Sequence, residues 1–383
     1  MKGCLFPNAD MATIVLSPAV LTAAVQQGNP TFLVTAGPPG DQMSMPPIRR
    51  ILMMGLVGFV SLLHAKPPAA KNVPASNTRP CDIYSAAHTP CVAAFSTTRA
   101  LYTAYTGPLY QVTRQSDKTT KNIGVLSDGY ANAATQDSFC DKTTCTITRI
   151  YDQSSRHNDL TVAPPGGAAH GRGPGGYDLP AIANALPATT HDHKIYGIYI
   201  SAGMGYRNDK TSGIAVNGQP EGVYMVTSGI HANGGCCFDF GNAEKNSRDN
   251  GNGHMDAISL ICGNPCYPHV GLDMENGIYP GLPVTAGLPF VTALGVNDGQ
   301  KKYQVYWGNA QLGGLATTGL LPLPNKSYTP MRQEGAILLG IGGDNSNASI
   351  GSFFEGVMTA GAPSSETMNA VQANVVSVGY AIP

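Results

Sequence analysis

From about residue 80 onward the chain alternates short apolar stretches with polar breaks rich in Gly, Asn, Asp and Pro. Seven stretches combine β-branched and aromatic residues: 109–114 (LYQVTR), 146–152 (TITRIYD), 194–201 (KIYGIYIS), 222–226 (GVYMV), 303–307 (YQVYW), 336–341 (AILLGI) and 353–358 (FFEGVM). Runs of this length between turn formers read as strands, and many of them in series predict a β-sandwich or barrel. Helical periodicity is scarce. Residues 96–105 (STTRALYTAY) predict a short helix, capped by Ser/Thr, with Leu101, Tyr102 and Tyr105 on one face. Residues 364–378 predict a closing helix, capped by Ser364 or Ser365, with Met368, Val371 and Val375 at helical spacing.

One apolar run has another character. Residues 51–63 (ILMMGLVGFVSLL) follow Arg49-Arg50 and end just before Ala65. A basic region, a short apolar core and a small residue make a secretory signal, and the run is short of the about 20 residues a membrane span needs. Because 48 residues precede Arg49, the natural start is expected at Met43 or Met45. Residues 1–65 are therefore read as an extension plus a signal peptide (about 45–65), with an uncleaved membrane anchor as the alternative. Residues 66–80 read as a Pro-rich leader, and 81–383 as one β domain.

Composition narrows the function. Charged residues are 12% of the 383 and the net charge is −1, which excludes a nucleic-acid binder working by phosphate neutralisation. A hydrophobic content of 42% excludes a disordered chain. Of nine cysteines, Cys4 lies in the extension and the other eight imply disulfides in a secreted chain. Short spacings suggest local loops for Cys81/Cys91, Cys140/Cys145 and Cys262/Cys266. The adjacent Cys236 and Cys237 can bond to each other or to separate partners such as Cys262 or Cys266. Zinc is the weaker reading, since no Cys-x₂-Cys pair is present.

Acids are few, so those in glycine-rich strand-end settings stand out. Asp273-Met274-Glu275-Asn276 follows a short apolar stretch at 269–272, and Gly342-Gly343-Asp344-Asn345-Ser346-Asn347 follows the strand at 336–341. Two carboxylates on separate strand ends are the minimum equipment of a glycosidase, although Asp and Asn in such loops also serve as plain turn formers.

Longer strings sharpen this. Pro80-Cys81-Asp82-Ile83-Tyr84, Thr89-Pro90-Cys91, Ile150-Tyr151-Asp152-Gln153-Ser154, Gly205-Tyr206-Arg207-Asn208 and Cys236-Cys237-Phe238-Asp239-Phe240-Gly241-Asn242-Ala243-Glu244 occur in order. Gly253-His254-Met255, Asp273–Asn276 and 335–347 (GAILLGIGGDNSN) follow. From about residue 80 to the C-terminus the chain resembles the catalytic domain of the α-L-arabinofuranosidase B family, glycoside hydrolase family 54. The resemblance implies a concanavalin-like β-sandwich (jelly roll) with a few short helices, carrying a secreted, retaining, exo-acting arabinofuranosidase. It implies Glu275 as nucleophile and Asp344 as acid/base. It implies a vicinal Cys236–Cys237 disulfide as an apolar wall against the sugar, with Asp273, Asn276 and Gly343 holding arabinofuranose hydroxyls. Disulfides Cys81–Cys91 and Cys140–Cys145 are implied too, with Cys262–Cys266 as the remaining pair. No cofactor or metal is expected. The expected partners are arabinose-containing plant cell-wall polysaccharides and oligosaccharides, with no nucleic acid and no stable membrane association, and the expected state is a monomer. A non-catalytic carbohydrate-binding sandwich, or an inactive homologue, is the competing reading.

Two departures from the family pattern carry expectations. No segment here matches the family's C-terminal arabinose-binding β-trefoil, so a catalytic domain without that module is expected. The loop at 260–270 is shorter than the family's and lacks its tryptophan; the one Trp is Trp307. Among the remaining polar residues, Glu355 reads as a buried structural partner ahead of a third active-site acid, and Arg99 as a structural ion-pair or carbonyl-binding residue. His254 is expected either at the substrate or in a structural hydrogen bond. Asn325 and Asn347 begin glycosylation sequons, and the second is expected unmodified because it lies beside Asp344.

Overall fold

The computed structural model describes residues 78–263 and 266–383. The expected signal peptide and most of the expected leader lie outside the described residues. Within them, strands form a ten-stranded sheet, a seven-stranded sheet and a small four-stranded sheet, with every strand pair antiparallel. Antiparallel strands with one face on a core need alternating side chains, and the Asp239–Ala243 strand shows this. Phe240 reaches the opposite sheet, meeting the Phe95 ring edge-on at 6.1 Å. Two strands over in the same sheet, on Pro268–Asp273, Leu272 does the same and lies over Gly295, where a β-carbon would collide with its side chain. The two large sheets thus interlock as a sandwich, with Phe95, Phe240, Leu272, Leu294 and Val357 all fully buried in one core.

At one end the core turns polar. Glu221, Asn242, Asp256, Asn297 and Gln333 are all buried there. The Asn242 amide donates to Glu221 at 3.0 Å and the Gln333 amide at 3.4 Å. Burial drives the Glu221 carboxyl far up, and the charge of Asp256 adds to it. Burial also lifts Asp256, to about 7, against the lowering effect of its polar neighbours Asn297, Glu221 and Gln333.

The closing helix is present as Ser365–Val376, capped by the Ser364 hydroxyl, which accepts from Thr367 N. The helix expected at 96–105 is absent. Cys91–Ser96 is a strand, and the residues after it turn instead. Their backbone donors are claimed elsewhere: Thr97 N by Phe354 O, Ala100 N by Gly129 O, Leu101 N by the Gln153 side chain and Thr103 N by Asp82. A helix needs those donors for its own carbonyls. The helix of this region is Pro80–Ala86, with proline in its first turn and Asp82 accepting from Arg79 N. The stretch at 353–358 divides at Phe354: Gly351–Phe353 pairs in the small sheet and Glu355–Ala360 in the seven-stranded one.

Arg99 and Glu355 meet inside, at 1% and 0% exposure, through two contacts of 2.6 Å. The hydroxyls of Tyr380 and Tyr224 complete the carboxylate at 2.8 and 3.2 Å. Both residues are therefore structural. Four disulfides are present, Cys81–Cys91, Cys140–Cys145, Cys236–Cys237 and Cys262–Cys266, with sequence separations of 10, 5, 1 and 4. No helix of the described residues is long and apolar enough to cross a membrane.

Candidate active site

The outer face of the ten-stranded sheet carries the site. Alternation that turns Phe240 and Asn242 to the core turns Asp239, Gly241 and Ala243 outward. Pairing sets Asp239 beside Ser259 and Gly271, and Gly241 beside Ala257 and Asp273. Ala243 and Ala257 on this face are buried in a second apolar cluster with Met255, Leu338 and Ile341, and Asp239 and Asp273 share the face, also buried.

Past Asp273 the chain turns through residues 274–277 into the Ile278–Pro283 strand. Glu275 and Asn276 sit there with φ of 67° and 57°, in the left-handed region that side chains avoid. Three contacts hold the turn: Glu275 N donates to Asp273 Oδ1 at 2.9 Å, the Tyr328 hydroxyl donates to Glu275 O at 2.9 Å, and Met274 N donates to Gly277 O at 3.1 Å. Such local strain persists where surrounding contacts over-determine it, typically at functional sites.

The Glu275 carboxylate is 5% exposed and faces a ring of donors. Asn250 N and Gly251 N reach Oε1, the latter at 2.8 Å. His254 N and His254 Nδ1 reach Oε2 at 3.3 and 3.2 Å. His254 Nδ1 also contacts Gly251 O at 2.8 Å, so that nitrogen carries the proton. His254 thus acts on Glu275 from the loop before the Asp256–Cys262 strand, a role between the two expected for it. Donors of this kind favour the ionised carboxylate.

Asp344 sits half-buried in the loop after the Ala336–Leu339 strand, and its Oδ1 accepts from Ser346 N at 3.0 Å. The loop is fastened to the disulfide, since Cys237 N donates to Ser346 O at 3.1 Å and both sulfurs lie 3.7 Å from the Ser346 hydroxyl. Cys237 Sγ is 3.9 Å from Asp273 Oδ2. Arg207, fully buried, donates to Gly343 O at 2.7 Å and to Glu244 O. Asn276 stands on the exposed rim, its amide on Asn252 Oδ1 at 3.2 Å. The fold therefore gathers Cys236–Cys237, Asp273, Glu275, Gly343 and Asp344 at one place, with Asn276 at its edge. It leaves Trp307 on the Lys302–Asn309 strand of the other sheet. Cys262–Cys266 ties the tip of the hairpin between Asp256–Cys262 and Pro268–Asp273, next to an exposed Tyr267.

Two acids of this site carry no role in the sequence reading: Asp239 and Glu244, both buried. Burial raises Asp239 far above the usual carboxylate range, with the charges of Asp273 and Asp344 adding to it. Burial raises Asp273 to about 7. Glu244 rises to about 9 through burial and its contact with Glu275, and burial lifts Glu275 to about 7 against its hydrogen bonds. The signal for Asp239 was available in the alternation of Asp-Phe-Gly-Asn-Ala, which turns the acid away from the core. For Glu244 no local signal exists, because its neighbour Glu275 is distant in sequence. Cys237 Sγ and oxygens of Asp239 and Asp273 lie within 4.8 Å of one another. With the sulfur in a disulfide there is no thiolate to offer, and two carboxyls fall short of a metal-ligand set. At the second sequon, the Asn347 amide donates to Asp178 Oδ1 at 2.7 Å.

Residues 80–381 match the family model described as alpha-L-arabinofuranosidase B, catalytic. The chain is similar to the probable alpha-L-arabinofuranosidase B of Aspergillus terreus, 53% identical over 320 residues, covering 79% of this chain and 62% of that protein. It is also 53% identical over 317 residues to the alpha-L-arabinofuranosidase of Hypocrea jecorina, covering 79% and 63%. Among solved structures it resembles an arabinofuranosidase complexed with arabinofuranosyl-alpha-1,2-xylobiose, with a TM-score of 0.77, 46% identity, and coverage of 80% of this chain and 66% of the other. The chain thus spans somewhat under two thirds of the length of these relatives.

Proposed function

Since this chain belongs to the α-L-arabinofuranosidase B catalytic family, we propose that it is a secreted, retaining, exo-acting glycosidase. Its substrates are terminal L-arabinofuranosyl residues on arabinan- and arabinoxylan-type side chains. Retention calls for two carboxyls about 5–5.5 Å apart, one reaching the anomeric carbon and the other the leaving oxygen. Glu275 attacks the anomeric carbon as the Asp344 proton passes to the departing oxygen, and a covalent arabinofuranosyl-enzyme of inverted configuration results. Asp344 then takes a proton from water, which attacks that carbon, frees Glu275 and restores the original configuration. Asp273 holds the Glu275 turn and, with Asn276 and the Gly343 backbone, binds sugar hydroxyls. The Cys236–Cys237 disulfide presents an apolar wall to the ring.

One observation carries this reading. Glu275 is clamped by N–H donors that favour its ionised form and aim it, on the same face as the disulfide-fastened loop bearing Asp344. Preorganised donors around a nucleophile are what a double displacement requires of the protein. Eight cysteines paired within the domain support secretion. The test is hydrolysis of 4-nitrophenyl α-L-arabinofuranoside followed by proton NMR. Release of α-L-arabinofuranose as the first product is expected. The β-anomer appearing first would replace retention by inversion, and absence of release would remove the activity.

A further inference from the structure

Beside Glu275 lies a second carboxyl in an unusual setting. Glu244 ends the Asp239–Ala243 strand, is 1% exposed, and neither of its oxygens receives a well-formed hydrogen bond from an N–H or hydroxyl group. Its carboxyl is in contact with Glu275 and fills the space beside Gly343, where a β-carbon would overlap it. Two touching, buried carboxylates repel strongly, so such a pair holds a proton between them. The donors decide where it resides. Glu275 faces N–H groups of Asn250, Gly251 and His254, while Glu244 faces none of comparable quality.

We propose that Glu244 is a positioning residue, kept as a neutral carboxylic acid whose O–H donates to the Glu275 carboxylate. The inference rests on the reading of Glu275 as nucleophile. Its upward shift to about 9, caused by burial and then by Glu275, agrees with the proton staying on Glu244 across neutral pH. The other charged or titratable groups facing the pair are Arg207 from the Tyr206–Asn208 strand, Asp273, and Asp249 and His254 from the loop before the Asp256–Cys262 strand. Arg207 spends two of its nitrogens on the Gly343 and Glu244 carbonyls. It thereby ties the Gly343 loop to the end of the Asp239–Ala243 strand; its charge pulls the Glu244 carboxyl down, but burial and Glu275 outweigh it. Donation from Glu244 steadies the charge of Glu275, and the Gly343 contact joins that carboxyl to the loop carrying Asp344.

The experiment compares Glu244→Gln, which keeps a donor of similar size, with Glu244→Leu, which removes it. kcat/KM is measured against pH on an arabinofuranoside with a strongly activated leaving group, so that proton donation by Asp344 does not shape the profile. A hydrogen bond to a charged group corresponds to roughly a 10- to 100-fold effect. Glu244→Leu should lose about that much, and its acid limb, which reports Glu275, should move up by about a unit or more. Glu244→Gln should keep the acid limb in place and most of the turnover. An unmoved acid limb in Glu244→Leu, or a Glu244→Gln as impaired as Glu244→Leu, would overturn the proposal. A second measurement does not need turnover. The infrared difference between wild type and Glu244→Gln should contain the carbonyl stretch of a protonated carboxyl, bleaching as pH rises through about 9. Its absence overturns the proposal even if Glu244→Leu fails to fold. An inactive wild type that still shows the band refutes the nucleophile reading while leaving the Glu244 proton in place.

Discussion

Replacing Asp256 with asparagine tests the polar end of the core. The Asp256 carboxyl is fully buried, and burial lifts it to about 7, whereas in the unfolded chain an Asp titrates near ~3.9. The folded state therefore binds this proton more tightly than the unfolded state. The resulting stabilisation is complete below about pH 4 and is lost as pH rises through about 7. About three units at ~1.4 kcal/mol each set an upper bound of roughly 4 kcal/mol. Glu221 acts in the same direction, since burial and the Asp256 charge both raise it. The amide introduced by Asp256→Asn cannot titrate, and its neutrality relieves Glu221 of that charge. The assay is urea unfolding between pH 4 and 8, followed by the fluorescence of Trp307, the single tryptophan. From acid to neutral pH the stability difference should swing towards Asp256→Asn by as much as about 4 kcal/mol. Parallel stability curves for the two proteins across that range would refute the reasoning.

Glu275→Gly should be rescued by azide to give the inverted β-azide, whereas Asp344→Gly should give the retained α-azide through its glycosyl-enzyme; product NMR decides, and interchanged outcomes reverse the two roles. Replacing both Cys236 and Cys237 by Ala should raise KM for aryl arabinofuranosides with little change in unfolding midpoint, because the wall against the sugar goes while the core stays; an unchanged KM would remove the disulfide from the binding surface. Arg99→Met strands Glu355 inside with only the Tyr224 and Tyr380 hydroxyls, and breaking a buried pair costs about 3–5 kcal/mol. Chemical denaturation measures it, and a loss below about 1 kcal/mol would show that the ion pair contributes no more than a surface one.

Strand content and the closing helix were legible because alternation and capping are local. The stretch 222–226 lies within the Glu221–Thr227 strand, and 303–307 within Lys302–Asn309. The misplaced helix at 96–105 shows the limit. Its periodicity is real, but its backbone donors go to Phe354, Gly129, Gln153 and Asp82, partners that only the tertiary fold supplies. The site divides in the same way. Asp273, Glu275 and Asp344 could be proposed from the sequence because each lies in a distinctive turn string. Glu244 lies within the 236–244 string, but its meaning depends on a carboxyl in a distant turn, which no local pattern announces. Asp82 illustrates a further kind of loss: one side chain caps the first helix and also holds Thr103, and no linear pattern announces the second duty.

The disulfides have a consequence for how the chain reaches this fold under oxidising conditions. Cys81–Cys91, Cys140–Cys145 and Cys262–Cys266 each join cysteines 10 residues apart or fewer. Loop-closure entropy grows with the logarithm of loop size, so short closures are met first by a searching chain. For these six cysteines the most accessible encounter is also the native one. Oxidation can then precede or follow sheet assembly without trapping a wrong long-range topology, because no bridge has to wait for distant strands to meet. Thiol shuffling, a slow step lasting seconds to hours where partners are remote, is largely relieved of its burden. Yield from oxidative refolding should accordingly depend on whether the long-range sheets form before they aggregate, and only weakly on the redox buffer.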